Sequence, residues 1–285
     1  MKNMTSPSVI TEYMNKNDFF FKKNLGQNFL KDENVARKIV EALEITPQDT
    51  VLEIGPGFGA LTQFLCDEAK SVIAVEVDPF AISVLNEAFE EKTNLKIFQG
   101  DILKTDLNTL LKDAFENGGK VKAISNLPYY ITSSVILKLL ENTPAFSSVI
   151  VMVQKEVAER LSAKPGTKDY SSFTVLLNFY AQAQKIFEVS HTNFIPQPKV
   201  DSAVVRITPF EKPPVEVKDK ETFVKTVKAA FSMRRKTLQN CISAYFDMPK
   251  DEASKRIESA GFSPTVRGET LSLDNFARLS DEMVQ

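Results

Sequence analysis

The sequence predicts an α/β protein with a mostly parallel sheet, an antiparallel hairpin at one edge of that sheet, and a small C-terminal helical domain. Three observations predict it. Short β-branched runs alternate with helix-like stretches from Thr50 to about Ile207, a glycine cluster stands directly after the first of those runs, and a proline- and charge-rich segment separates them from a helical tail.

The runs are VLEI at 51–54, SVIAVEV at 71–77, LKIF at 95–98, VKAIS at 121–125 and SSVIVMV at 147–153. Between them, 79–89 and 106–115 carry apolar residues at three- and four-residue spacing, as helices packed on a sheet do. KIFEVS at 185–190 and SAVVRITP at 202–209 fit a hairpin at a sheet edge. The segment PFEKPPVEVK at 209–218 disfavours helix and central strand alike and predicts a linker, with a first domain at 1–210 and a second at 211–285. In the second, 221–244, 250–260 and 270–284 read as helices, with Gly261 and Pro264 marking the last break.

Composition narrows the function classes. With 43% hydrophobic and 25% charged residues over 285 positions, the chain is globular in character. No apolar run approaches the roughly 18 residues that a membrane span needs, and the first 23 residues mix Lys, Asn, Glu and Ser where a signal peptide has an apolar core, so a cytoplasmic protein without a membrane partner is expected. Cys66 and Cys241 are far apart in sequence and His191 is the one histidine, so neither a metal site nor a disulfide framework is expected. The net charge of −2 requires any nucleic-acid footprint to be local.

The string VLEIGPGFGALT at 51–62 puts Gly55, Gly57 and Gly59 between a buried strand and a helix, where backbone must approach a ligand closely. Glu76 ends the next strand about twenty positions on, where a carboxylate can accept from both ribose hydroxyls, and Asp101 after the third strand can accept from an adenine amino group. The loop alone admits two readings. Gly55, Gly57 and Ala60 satisfy a dinucleotide fingerprint, whereas Glu53 and Gly59 complete E-x-G-x-G-x-G, which resembles the first motif of class I methyltransferases, binders of a methionine-bearing sulfonium without a pyrophosphate.

Asn126-Leu127-Pro128-Tyr129 follows the fourth strand, at the carboxyl edge where ligands bind in open α/β sheets. The residue types suit adenine chemistry. The N6 lone pair is delocalised into the ring, and two acceptors aimed at its N–H groups would draw the nitrogen toward tetrahedral geometry. The Asn126 amide oxygen and the Leu127 carbonyl are the candidate acceptors, Pro128 restricts the backbone of Leu127, and Tyr129 offers a stacking face. An isolated N-L-P-Y would read as an ordinary turn; its place after a glycine-loop fold favours a base pocket acting on unpaired or flipped nucleotides.

Along nearly its full length the chain resembles the ribosomal small-subunit RNA adenine dimethyltransferases. The resemblance rests on KKNLGQNFL at 22–30, LEIGPGFGALT at 52–62, SNLPYYITS at 125–133, NFIPQPKVDSAVVR at 193–206, FSMRRKTLQN at 231–240 and VRGETLSLDNFARL at 266–279. It implies the class I methyltransferase fold (Rossmann-like), S-adenosyl-L-methionine as cofactor with S-adenosyl-L-homocysteine as product, and two adjacent adenines near the 3′ end of 16S RNA as target, within an assembling 30S subunit. It also implies that residues 1–31 close over the cofactor, bringing Asn28 and Leu30 beside Gly55, Glu76, Asp101 and Asn126, and that Phe194 faces Tyr129 across the target base. A monomer is expected.

Between Phe223 and Asn240 stand five basic residues, Lys225, Lys228, Arg234, Arg235 and Lys236, and no acidic one. A charge run is commonly a solvated helix face; the resemblance of FSMRRKTL favours RNA phosphate binding. Alternatives are the macrolide-resistance type acting on large-subunit RNA, against which the RRKTL block argues, a DNA adenine methyltransferase, a nonenzymatic assembly or transcription factor on the same fold, and a nicotinamide enzyme that would leave N-L-P-Y unexplained.

Overall fold

The computed structural model of the protein describes residues 2–16, 26–116, 120–126, 128, 130–141 and 146–284. Two compact units emerge, the first containing Met1–Ala158 and Ala183–Pro209, the second Glu159–Gln182 and Phe210–Gln285.

The strands are β1 (Phe29–Leu30), β2 (Thr50–Ile54), β3 (Ser71–Glu76), β4 (Leu95–Gln99), β5 (Val121–Asn126), β6 (Ser148–Gln154), β7 (Ala181–Val189), β8 (Phe194–Ile195) and β9 (Ser202–Pro209). Seven of them form one sheet in the order β4-β3-β2-β5-β6-β9-β7. The first five are mutually parallel, and β9 runs antiparallel to β6 with Val205 opposite Val151. Every residue of β2 is buried, as expected of a strand covered on both faces. The chain builds β2, β3 and β4 outward on one side and returns to lay β5 and β6 on the other, so the order switches between β2 and β5. Crevices at such switch points, outside the carboxyl ends of the strands, are where this class of sheet binds ligands.

The helices before the second unit are α1 (Pro7–Lys16), α2 (Glu33–Glu41), α3 (Thr62–Glu68), α4 (Pro79–Ala88), α5 (Leu107–Leu110), α6 (Lys112–Glu116) and α7 (Thr132–Glu141), followed by α8 (Lys155–Leu161), which crosses into it. Local chemistry starts several of them. Asp32 accepts from the Val35 N–H at the head of α2, and Asp78 from the Phe80 N–H at the head of α4, where Pro79 opens the helix. The expected helix at 106–115 is two short ones meeting at Leu111.

The expected edge hairpin is more elaborate than its sequence suggested. β7 begins at Ala181, and the chain between β7 and β9 leaves the main sheet to form β8, which pairs antiparallel with β1 through Phe29↔Ile195 and Leu30↔Phe194.

The second unit holds α9 (Ser172–Tyr180), α10 (Lys220–Phe231), α11 (Leu238–Phe246), α12 (Lys250–Ser259) and α13 (Leu273–Met283). Its extent departs from the expected boundary, because 159–182 groups with the tail and not with the first domain. In α9, Val175, Leu176, Leu177, Phe179 and Tyr180 are all buried, and Phe179 stacks on Phe223 of α10 with ring centroids 4.3 Å apart. A helix buried over so wide an arc belongs to whichever core surrounds it. The single helix expected at 221–244 is broken: Ser232 caps α10, the Lys236 N–H closes a turn onto the Met233 carbonyl, and Thr237 precedes α11. Apolar spacing runs through this break without glycine or proline to mark it.

Candidate active site

At the carboxyl ends of β2, β3 and β5 lies a cavity of about 340 Å3, within the range of small-molecule sites. Its lining includes Asn28, Leu30, Glu53, Gly55, Gly57, Glu76, Asp101, Asn126 and Pro128, so residues spread over a hundred positions of sequence converge there.

The turn after β2 supplies the floor. Gly55 has φ +64°, and a Cβ added there would meet no atom within 4 Å, so this residue faces open space. Gly59 differs. With φ +90° it leaves no room for a side chain, since a Cβ would stand 2.4 Å from the Phe89 ring, and it does not line the cavity. The expectation that Gly59 binds cofactor is therefore corrected: it permits close packing against α4.

Glu76 ends β3 with its carboxylate held by three backbone donors, the N–H groups of Gly57 (3.1 Å), Val77 (2.8 Å) and Asp78 (2.9 Å). Burial pushes its carboxyl above the ordinary range, opposed by those N–H groups, which favour the charged form. Glu53, 1% exposed, accepts from the Thr62 hydroxyl at 2.7 Å; burial pushes its carboxyl up to about 8, with the Glu76 charge adding to the rise against the Thr62 hydrogen bond. Asp101 accepts from the Leu103 N–H through Oδ1 at 2.9 Å, and its Oδ2 is 3.9 Å from the exposed Lys104 ammonium.

Asn126 closes the opposite wall. Its Nδ2 donates to the Asn28 carbonyl at 3.1 Å, and its amide oxygen has no hydrogen-bond partner among the described residues. The adjacent Ser125 hydroxyl donates to the Ile54 carbonyl at 2.5 Å and ties the tip of β5 to that of β2. Pro128 and Tyr130 line the cavity, Tyr130 being 64% exposed. Leu127 and Tyr129 lie outside the described residues.

Phe194 requires a correction. It is 1% exposed, does not line the cavity, and belongs to a core cluster with Leu30, Ala36, Ile39 and Val204. Its ring is occupied by packing across the β1–β8 pair and presents no face to a base in this structure.

Several wall residues escaped the sequence reading. Gln27 donates to Asp78 at 2.7 Å and links the segment before β1 to the cavity rim, and Phe29 of β1 stacks on Phe58 at 4.1 Å. Val77, Ile102 and Leu103 add apolar surface beside the two acids. The signal for these three was present, since each stands within two residues after Glu76 or Asp101, beyond a strand's carboxyl end.

In the second unit the five basic residues are not equivalent. Lys225 pairs with Glu221 at 2.7 Å, and Arg234 donates to the Lys168 carbonyl at 2.8 Å with Glu269 3.8 Å away. Lys228, Arg235 and Lys236 are exposed and have no ion-pair partner among the described residues. No group of three or more His, Cys, Asp and Glu that could hold a metal occurs among the described residues, and no helix there is long and apolar enough to cross a membrane.

Residues 18–283 match the model of the family described as ribosomal RNA adenine dimethylase. A protein of Bacillus cytotoxicus named ribosomal RNA small subunit methyltransferase A is 44% identical over 287 residues, covering 100% of this chain and 98% of its own length. One of the same name from Streptococcus thermophilus is 43% identical, covering 97% and 96%. Among solved structures, a dimethyladenosine transferase from Plasmodium falciparum superposes with a TM-score of 0.71 at 28% identity, covering 88% of this chain and 95% of the other. The 23S rRNA methyltransferase ErmE does so with 0.62 at 26%, covering 90% and 100%.

Proposed function

The chain belongs to the ribosomal RNA adenine dimethylase family, and from that premise we propose that it transfers methyl groups from S-adenosylmethionine to N6 of two adjacent adenines near the 3′ end of small-subunit ribosomal RNA, giving N6,N6-dimethyladenosine. We place this activity in the cytoplasm, on the assembling 30S subunit, with the chain acting as a monomer. The observation that carries the reading is that the Asn126 amide, the open turn at Gly55 and the Glu76 and Asp101 acceptors share one cavity.

The residues present fit an adenosyl cofactor. Gly55 leaves open space where a side chain would intrude, Glu76 offers a preorganised carboxylate for ribose hydroxyls, and Val77, Ile102 and Leu103 offer an apolar surround for a purine whose amino group Asp101 can accept. The cofactor supplies a methyl group bound to positively charged sulfur, electrophilic at carbon. Asn126, its Nδ2 committed to Asn28, turns its oxygen to the target amine and takes one N–H, with the Leu127 carbonyl as the second acceptor. Methylation makes the nitrogen strongly acidic, so its proton leaves without a dedicated base, and the residues act by positioning. Lys228, Arg235 and Lys236 hold RNA phosphates.

The experiment is direct. Unmethylated small subunits incubated with labelled S-adenosylmethionine and the protein should yield labelled dimethyladenosine by mass spectrometry of nucleosides; absence of that nucleoside would overturn the substrate assignment. The likeness to the 23S enzyme favours large-subunit RNA as the second reading, and the same assay on large subunits decides between them.

A further inference from the structure

Glu53 is a buried acid that the mechanism above does not use. It lies in the fully buried strand β2, between Ala74 of β3 and Ile124 of β5, and it lines the same cavity as Glu76. One hydroxyl, that of Thr62, donates to its Oε2, with the Thr62 N–H beside it. The titratable groups that face it are Glu76 from β3 and Cys66 from α3, both of which can only add negative charge. No cation among the described residues pairs with it. Glu76 has three backbone donors for its charge, so of these two neighbouring carboxyls Glu53 is the poorer anion and the better holder of a proton. Burial pushes it up to about 8, in agreement with that geometry.

We propose that Glu53 is the group by which the cavity recognises positive charge on its cofactor: it is a neutral acid while no cation is present and becomes a carboxylate paired with a cationic group when the cofactor enters. The O–H bond breaks, the electron pair remains on the carboxylate, and the proton passes to solvent. This rests on the reading that the cavity binds S-adenosylmethionine. That molecule carries two onium groups, a sulfonium lost on methyl transfer and an ammonium retained in the product. If the sulfonium is the partner, Glu53 distinguishes charged donor from neutral product and takes its proton back as the methyl group leaves.

Calorimetric titration of the whole protein at pH 7, in buffers of different ionisation enthalpy, counts protons released on binding. With S-adenosylmethionine the wild type should release close to one proton, and its affinity should rise by up to about tenfold per pH unit between pH 6 and 7.5. Glu53→Gln, which keeps an acceptor for Thr62, should release none and show a flat pH dependence. S-adenosylhomocysteine separates the sources: release with both ligands assigns the ammonium, and release with the donor alone assigns the sulfonium. Methylthioadenosine, which has neither onium group, should release none. Thr62→Val, by removing the donor that favours the anion, should move the pH range of release upward. Binding of S-adenosylmethionine without proton release, equal release in Glu53→Gln, or equal release with methylthioadenosine would overturn the inference while leaving the cofactor assignment standing. Failure of all three ligands to bind would overturn both.

Discussion

Gly55 and Gly59 stand four positions apart in one turn and serve opposite sides of it. A methyl group at Gly59 would meet the Phe89 ring in a left-handed backbone, so Gly59→Ala should cost about 2–4 kcal/mol in urea denaturation. Gly55→Ala carries the backbone penalty alone, about 1–2 kcal/mol, yet it places the methyl in the cavity and should weaken S-adenosylmethionine binding at least tenfold. A larger stability loss at Gly55 than at Gly59 would contradict these roles. Spacing revealed that the turn is built of glycines, but not which of them faces the ligand, because that depends on a ring contributed thirty residues later. Glu53 makes the stability of the chain depend on pH. Its carboxyl is held near 8 when folded against an ordinary value of 4.5, so the folded chain keeps a proton that the unfolded chain releases between those limits. Its contribution to stability is full below about pH 4.5 and is lost as pH rises through 8. The melting temperature of Glu53→Gln should therefore fall less steeply than that of wild type over this range; parallel curves would contradict it.

At the scale of elements, β2, β3, β5 and β6 were legible because a strand buried on both faces reads as a β-branched run such as VLEI or SVIVMV, whereas the partly exposed β4 was legible from its place in the alternation of strands and helices. β1 and β8 were not, being two residues each and stabilised by pairing with partners over 160 positions away. That pairing explains why Phe194, which looked like a clamp for a base, is a core residue, and why Leu30 reaches the cavity. α1 was equally hidden among polar residues, yet it buries Ile10 and Tyr13 in a cluster with Met4, Phe29 and Phe58, and three members of that cluster line the cavity. Ile10→Ala should cost about 2–4 kcal/mol and also weaken cofactor binding by loosening the Phe29–Phe58 stack. Equilibrium denaturation and cofactor titration on the same variant check this; a stability loss with unchanged affinity would separate α1 from the site.

For the whole molecule, the linker signal set the boundary at 210/211, whereas the second unit takes in Glu159–Gln182 as well as the chain from Phe210; the linker could not show that α9, met earlier in the chain, packs against α10. The same limit applied to the basic run, whose five members looked equal until Glu221 and Lys168 were seen to engage two of them. Arg235→Ala combined with Lys236→Ala should weaken RNA binding and reduce the slope of log affinity against log salt by roughly one to two, whereas Lys225→Ala should change it less; an unchanged slope in the double variant would remove the patch. Catalysis turns on Asn126, whose nitrogen donates to the Asn28 carbonyl and whose oxygen has no hydrogen-bond partner among the described residues. The most direct measurement compares Asn126→Ala with wild type in both cofactor affinity and single-turnover methylation of unmethylated small subunits. The account predicts a rate lower by about a hundredfold or more with cofactor affinity changed only a few-fold, and dimethylation at the wild-type rate would contradict it.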